Sequence, residues 1–233
     1  MKIGLIGDSL TEGRPGVSFI RYLRERYPNI TFDNLGKSGE TVKSLHARLT
    51  KSTLTTDYDL IFLWIGVNDV YSKMLKVQAQ PVASDHSEFQ TYFSKILEMV
   101  SSSSKQIITV SPAIVGENLT NKANGELREI SALIDSIHRN YGNVHFLDMH
   151  NVFENHLSQV NSSDYLNTSV IRVMKDVIFY KDPKRIDRIS KSRGLYFTLD
   201  GIHLKSSGAR IVSDQYANMI EQLLFPANGA FMK

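Results

Sequence analysis

YDLIFLWIGV, residues 58–67, is apolar on both faces of an extended chain. A strand with one wet face alternates apolar with polar side chains. A strand apolar on both faces belongs inside a sheet covered twice, the habit of parallel sheets whose crossovers are helices. KQIITVSP (105–112) reads the same way, and KIGLIG (2–7), ITFDNLG (30–36) and VHFLDM (144–149) are short β-branched or aromatic runs. Between them lie amphipathic stretches. VSFIRYLRERY (17–27) places Phe19, Ile20, Leu23 and Tyr27 at helical spacing, and TVKSLHARLT (41–50), HSEFQTYFSKILEMVSS (86–102) and NGELREISALIDSIHRNYG (124–142) follow the same rule. SSGARIVSDQYANMIEQLL (206–224) opens on a Ser N-cap candidate and is the last helix. Five strands and five helices in alternation predict one open, parallel, helix-covered sheet. Ligands in such sheets sit outside the carboxyl ends of the strands.

Composition narrows the class. The chain has 233 residues, 42% hydrophobic and 22% charged. That suits one large domain, expected over residues 1–233, which buries roughly three-quarters of its unfolded surface without staples. There is no cysteine, so disulfides, thiolate metal sites and a Cys nucleophile are excluded. MKIGLIGDSL carries one Lys and only a short apolar run, not the ~7–15 apolar residues of a signal peptide. No window approaches the ~20 apolar residues of a membrane span. The expectation is a soluble, cytoplasmic protein, and the four Asn-x-Ser/Thr matches at Asn29, Asn118, Asn161 and Asn167 read as chance. A net charge of +3 is too small to imply nucleic acid.

Residues 151–199 break the alternation as an insertion before the last helix. Within it VIRVMKDVIFYKDPKRIDRISKSR (170–193) carries eight Lys/Arg against Asp176, Asp182 and Asp187, a net +5. A long insertion at the working face of a sheet is either a lid or binding loop, or a solvated amphipathic helix and its loop. The aromatic IFYKD (178–182) is either an acyl-pocket wall or packing within the insertion.

Four short stretches fall at element ends: GDSL (7–10), NLGKSGET (34–41), GVND (66–69) and LDGIHL (199–204). Each alone is ordinary loop chemistry. A doubly wound sheet, however, brings all four to one edge. Together they resemble the SGNH, or GDSL-type, hydrolases of esters, and the resemblance runs from Ser9 to His203. It implies a three-layer α/β/α sandwich around a mostly parallel, five-stranded, flavodoxin-like sheet. It also implies that Ser9 is the nucleophile, that Gly39 and Asn68 match the glycine and asparagine of the second and third blocks, and that Asp200 and His203 are the closing pair. The insertion is the departure from a minimal member, and it leaves the substrate class open among acyl-carbohydrates, lysophospholipids, thioesters and small acyl esters.

The residue types fit that chemistry. A Ser hydroxyl is a poor nucleophile until a base takes its proton. His203, with an ordinary value near ~6.5, is such a base at neutral pH, and activity is expected to rise around pH 6–7 as it deprotonates. Asp200, three residues earlier, reaches the ring with a short side chain to fix its tautomer. The Ser9 and Gly39 backbone N–H groups and the Asn68 amide are the expected oxyanion donors. Gly39 is expected to allow close backbone approach to the reacting carbonyl. Asp8 and Asp69 read as loop organisers.

Other motifs are set aside. GKS (36–38) resembles the tail of a P-loop, but position 31 is Thr where that motif needs Gly. Asp148, His150 and His156 lack the compact spacing of a metal site; His46, His86, His138 and His145 have no partner pattern, and Trp64 reads as core. The expected function is therefore a serine esterase acting on a small-molecule ester, with no cofactor and no metal. An acyltransferase using the same acyl-enzyme and a non-catalytic ligand-binding relative are the alternatives.

Overall fold

The computed structural model describes residues 1–54, 56–75, 80–168 and 182–225. Five strands, β1 (Lys2–Gly7), β2 (Thr31–Gly36), β3 (Tyr58–Trp64), β4 (Ser104–Val110) and β5 (Val144–Leu147), form one sheet in the order β2-β1-β3-β4-β5. Every pairing is parallel. Leu60 to Trp64 of β3 are all buried, as an inner strand apolar on both faces requires.

The helices are α1 (Ser9–Glu12), α2 (Phe19–Arg26), α3 (Val42–Lys51), α4 (Val67–Met74), α5 (His86–Ser101), α6 (Lys122–His138), α7 (Met149–Leu157), α8 (Pro183–Ser192) and α9 (Ser206–Leu224). From β1 the chain steps to β2 on one side, then returns past β1 to β3 and continues to β4 and β5. Since crossovers are right-handed, reversing direction moves the connecting helix to the other face. Thus α2 covers one face together with α9, while α3, α5 and α6 pack in succession on the other. The result is a three-layer α/β/α sandwich.

The α9 layer is fixed by aromatic packing. The fully buried Tyr216 ring stacks on Phe62 at 4.0 Å between centroids and meets Phe19 edge-on at 4.9 Å. Trp64 is core as expected, edge-on to Phe19 and donating its indole N–H to the Ser111 carbonyl.

The direction change between β1 and β3 is the topological switch point, where the connections leave to opposite sides and open a crevice. Gly7 is in register with Gly36 on one side and with Trp64 on the other. The chain leaves the sheet at one level from all three strands, and Ser9, Gly39 and Asn68 follow two to four residues later. Strand β3 is shorter than the apolar run because Gly66 adopts φ 125°, outside the extended region, and caps α4.

The segment expected as an insertion begins inside α7, which Asp148 caps, and contains α8 from Pro183. Residues 170–181 of the basic run, and with them most of IFYKD, lie outside the described residues. No helix among the described residues is long and apolar enough to cross a membrane.

Candidate active site

Ser9 is the first residue of α1, immediately beyond β1. Asp8 caps this short helix, its Oδ1 accepting the Leu10 N–H at 2.9 Å. Gly7 cannot be larger: a β-carbon there would run into Thr11 Oγ1 and the Trp64 carbonyl. Ser9 is 4% exposed, and its Oγ lies 3.1 Å from His203 Nε2 across 194 residues of sequence. His203 Nδ1 lies 2.8 Å from Asp200 Oδ2. A carboxylate only accepts, so Nδ1 carries the hydrogen and Nε2 of the neutral ring offers its lone pair to Ser9. Asp200 Oδ1 accepts the backbone N–H groups of Ile202 at 3.1 Å and His203 at 2.9 Å, which folds Asp-Gly-Ile-His into a closed turn.

Burial alone would raise the Asp200 carboxyl. The His203 charge, the ring N–H and the two backbone donors outweigh it and hold the group below the usual carboxylate range. The ionised form is therefore the one this turn favours. The turn is anchored from outside by Gly116 N–H on the Gly201 carbonyl, Asn167 N–H on the Asp200 carbonyl and Arg193 on the Leu199 carbonyl. Tyr71 donates its hydroxyl to the Asn167 carbonyl.

Asp8 has a different surrounding. Burial pushes its carboxyl up to about 7, against the Leu10 N–H and the His203 charge, with the Glu40 and Asp69 carboxylates adding to the rise. Asp69 is also pushed up to about 7 by burial, although the Val42 and Ala83 N–H groups oppose this. Its Oδ2 accepts the Val42 N–H at 3.0 Å and so ties α4 to the start of α3. Asp8 and Asp69 therefore hold loops, as their sequence context suggests.

Asn68 lies in the first turn of α4, and its amide donates to the Glu40 carbonyl at 3.0 Å. One amide hydrogen is thereby placed, and the planar group fixes the direction of the other. Gly39 sits in the turn after β2 with φ 75°. Crowding by the protein is not what demands glycine here, because a β-carbon would meet no protein atom within 4 Å. The positive φ is the reason. Neither the Ser9 nor the Gly39 N–H meets a protein acceptor among the described residues.

Sequence reading missed what holds this loop. Glu40 is 3% exposed, and its carboxylate takes a forked ion pair from Arg48 Nε and Nη2, both at 2.6 Å. Arg48 also reaches the Leu35 carbonyl. An acidic residue beside the glycine and an arginine eight positions on were the available signal, without any period to mark them as partners.

The set-aside histidines have structural partners. His150 donates Nδ1–H to the Ala113 carbonyl, while Asp148 accepts from Ser111 Oγ and caps α7 through the Asn151 N–H. His145 pairs with Gln106, His46 meets the Tyr92 ring and His138 stacks on Phe146. Among the described residues no three His, Asp or Glu side chains converge as a metal site.

A hydroxyl, an imidazole and a carboxylate in line, beside unoccupied N–H donors, can move a proton and receive developing negative charge on oxygen. The GDSL-like lipase/acylhydrolase family model matches residues 5–169. The chain belongs to this family. It is accordingly a carboxylic ester hydrolase. The match covers the Ser9, Gly39 and Asn68 loops and stops before Asp200 and His203, which the fold returns to Ser9. No curated protein matches the chain.

Solved structures resemble the hydrolase throughout its length. A catalytic mutant of Axe2, an acetylxylan esterase from Geobacillus stearothermophilus, is 20% identical with a TM-score of 0.69, over 94% of this chain and 93% of that one. The acetyl xylan esterase AlAXEase is 19% identical with a TM-score of 0.67, over 94% and 100%. LAE5, an alpha/beta hydrolase from the metagenome of Lake Arreo, Spain, is 18% identical with a TM-score of 0.69, over 95% of each chain. At these identities the likeness is one of fold.

Proposed function

We propose that the hydrolase is a serine esterase working through an acyl-enzyme on Ser9. The observation that carries this reading is the unbroken line from Ser9 Oγ to His203 Nε2 at 3.1 Å and from His203 Nδ1 to Asp200 Oδ2 at 2.8 Å. Ser9 Oγ attacks the ester carbonyl carbon while its proton passes to His203 Nε2, and Asp200 steadies the imidazolium. The carbonyl oxygen becomes an oxyanion that receives the Ser9 and Gly39 N–H groups and the second Asn68 amide hydrogen. Collapse expels the alcohol, which takes the proton from His203. Water then attacks the acyl carbon and gives its proton to His203; as the acyl–Oγ bond breaks, Ser9 Oγ takes that proton back and the acid leaves.

An acylated carbohydrate is the ester class we favour. Its support is the fold shared with two acetylxylan esterases. Catalytic mutants of Axe2 at a serine, an aspartate and a histidine three residues after that aspartate mirror the spacing of Asp200 and His203. The test compares wild type with Ser9→Ala on short-chain p-nitrophenyl esters and on acetylated xylo-oligosaccharides. Loss of turnover and of fluorophosphonate labelling in the variant is the expected result. Turnover surviving in Ser9→Ala sinks the proposal, and faster release on added alcohol with an ester product identifies a transferase instead.

A further inference from the structure

Glu117 lies in the loop beyond β4 and is 4% exposed, yet no cation pairs with it among the described residues. Its charge is met by donors alone. Oε1 accepts the Phe197 N–H at 2.8 Å, the Thr198 N–H at 2.7 Å and the Thr198 hydroxyl at 2.8 Å. Oε2 accepts the Tyr196 N–H at 2.7 Å and the Ser162 hydroxyl at 2.5 Å. Three consecutive backbone N–H groups thus point at one carboxylate. The facing carbonyls are also engaged: Phe197 O by the Lys205 N–H and Thr198 O by the Ser190 hydroxyl.

This ribbon leads directly into the Asp200–His203 turn. The Thr198 hydroxyl has one hydrogen, and an ionised Glu117 can only accept it. Thr198 Oγ1 is then left to accept, which it does from the Gly201 N–H at 3.1 Å. The Gly201 carbonyl meanwhile accepts the Gly116 N–H at 2.6 Å. Gly201, the residue after Asp200, is therefore fixed on both sides by the 116–117 loop, once directly and once through Thr198.

We propose that Glu117 is a positioning residue for ester hydrolysis: its carboxylate takes the place of a strand partner for 196–198 and, through the Thr198 hydroxyl, sets Asp200 and His203 against Ser9. The proposal rests on the reading of Ser9, Asp200 and His203 as the reacting line. Misplacement of a reacting group by about 1 Å costs on the order of 10²-fold, so the effect belongs in kcat rather than in binding.

Three variants test it on p-nitrophenyl acetate, with Ser9 phosphonylation rates measured in parallel and the folded fraction fixed by circular dichroism. Glu117→Gln keeps the shape but turns an amide N–H2 toward donors. Thr198→Val removes the relay hydroxyl at constant volume, and Thr198→Ser restores it. The expected result is kcat down at least about tenfold in Glu117→Gln and Thr198→Val, KM within about threefold, labelling slowed in parallel, and Thr198→Ser near wild type. Wild-type kcat in folded Glu117→Gln and Thr198→Val overturns the proposal, as does an equal loss in Thr198→Ser and Thr198→Val. Should Glu117→Gln not fold, the Thr198 pair decides alone. A wild type that neither turns over nor labels overturns the Ser9 reading itself, and this inference with it.

Discussion

Asn68 shows how a single side chain is aimed. Its amide is anchored on the Glu40 carbonyl, Glu40 is forked by Arg48, and α4 starts one residue earlier because Gly66 can turn. In Asn68→Ala one proposed oxyanion donor is lost while Ser9 and His203 stay in place. The expected outcome is a fall in kcat of ~10²–10³ with little change in KM, read from steady-state kinetics. A variant within a few-fold of wild type would remove Asn68 from the mechanism. At this scale Ser9, His203 and Asp200, proposed here as nucleophile, base and orienter, could be singled out because their residue types and short local spacings are distinctive. Glu40 with Arg48 was not. Nor was Glu117, whose partners Tyr196 to Thr198 lie 79 to 81 positions away. Chemistry carried by one residue leaves a motif, whereas support supplied across the fold leaves none.

Among elements, α9 matters most to the site, since it begins three residues after His203. Its docking depends on Tyr216, stacked on Phe62 and set against Phe19. Tyr216→Ala would remove a fully buried ring and is expected to cost ~3–5 kcal/mol of stability, measured by denaturant unfolding, with activity lost in step with the folded fraction. A cost under about 1 kcal/mol would mean that the α9 face repacks freely. The five strands and the helices α2, α3, α5, α6 and α9 were readable from periodicity, but α1, α4 and α7 were not. Helix α1 has only four residues and follows from the Asp8 cap, and α4 begins inside what read as the loop motif GVND. The strand expected through Met149 stops at Leu147 because Asp148 caps α7.

For the whole molecule, the buried carboxyls set how stability follows pH. Asp69 holds its proton until about 7 in the folded protein, against an ordinary value of 3.8. The folded state therefore binds more protons than the unfolded chain in that interval, and stability falls as pH rises through it. Asp8 acts in the same direction. Asp200 acts oppositely: held low, it contributes stability above its unfolded value that is lost as pH drops through its folded one. Replacing Asp69 with Asn removes the first dependence. The Tm of Asp69→Asn relative to wild type is expected to climb between about pH 4 and 7 and then level off; a constant gap across that range would contradict it. The parallel, helix-covered sheet followed from alternation, its flavodoxin-like form from the family resemblance, and the edge expected to carry the site from the switch-point rule. Pairs of carboxyls buried behind the serine did not, because burial is a property of the finished packing.

The line from Ser9 to His203 spans 194 residues. On the ribosome the proposed nucleophile, Ser9, and its N–H donors are made well before the proposed base, His203. At ~5–20 residues per second that interval is roughly 10–40 s. Throughout it the nascent chain holds a serine no more reactive than any other, because the imidazole that would activate it has not been synthesised. The long chain separation thus delays hydrolysis until His203 has been made and folded back onto Ser9, and makes the appearance of activity during synthesis a clock for the arrival of that segment.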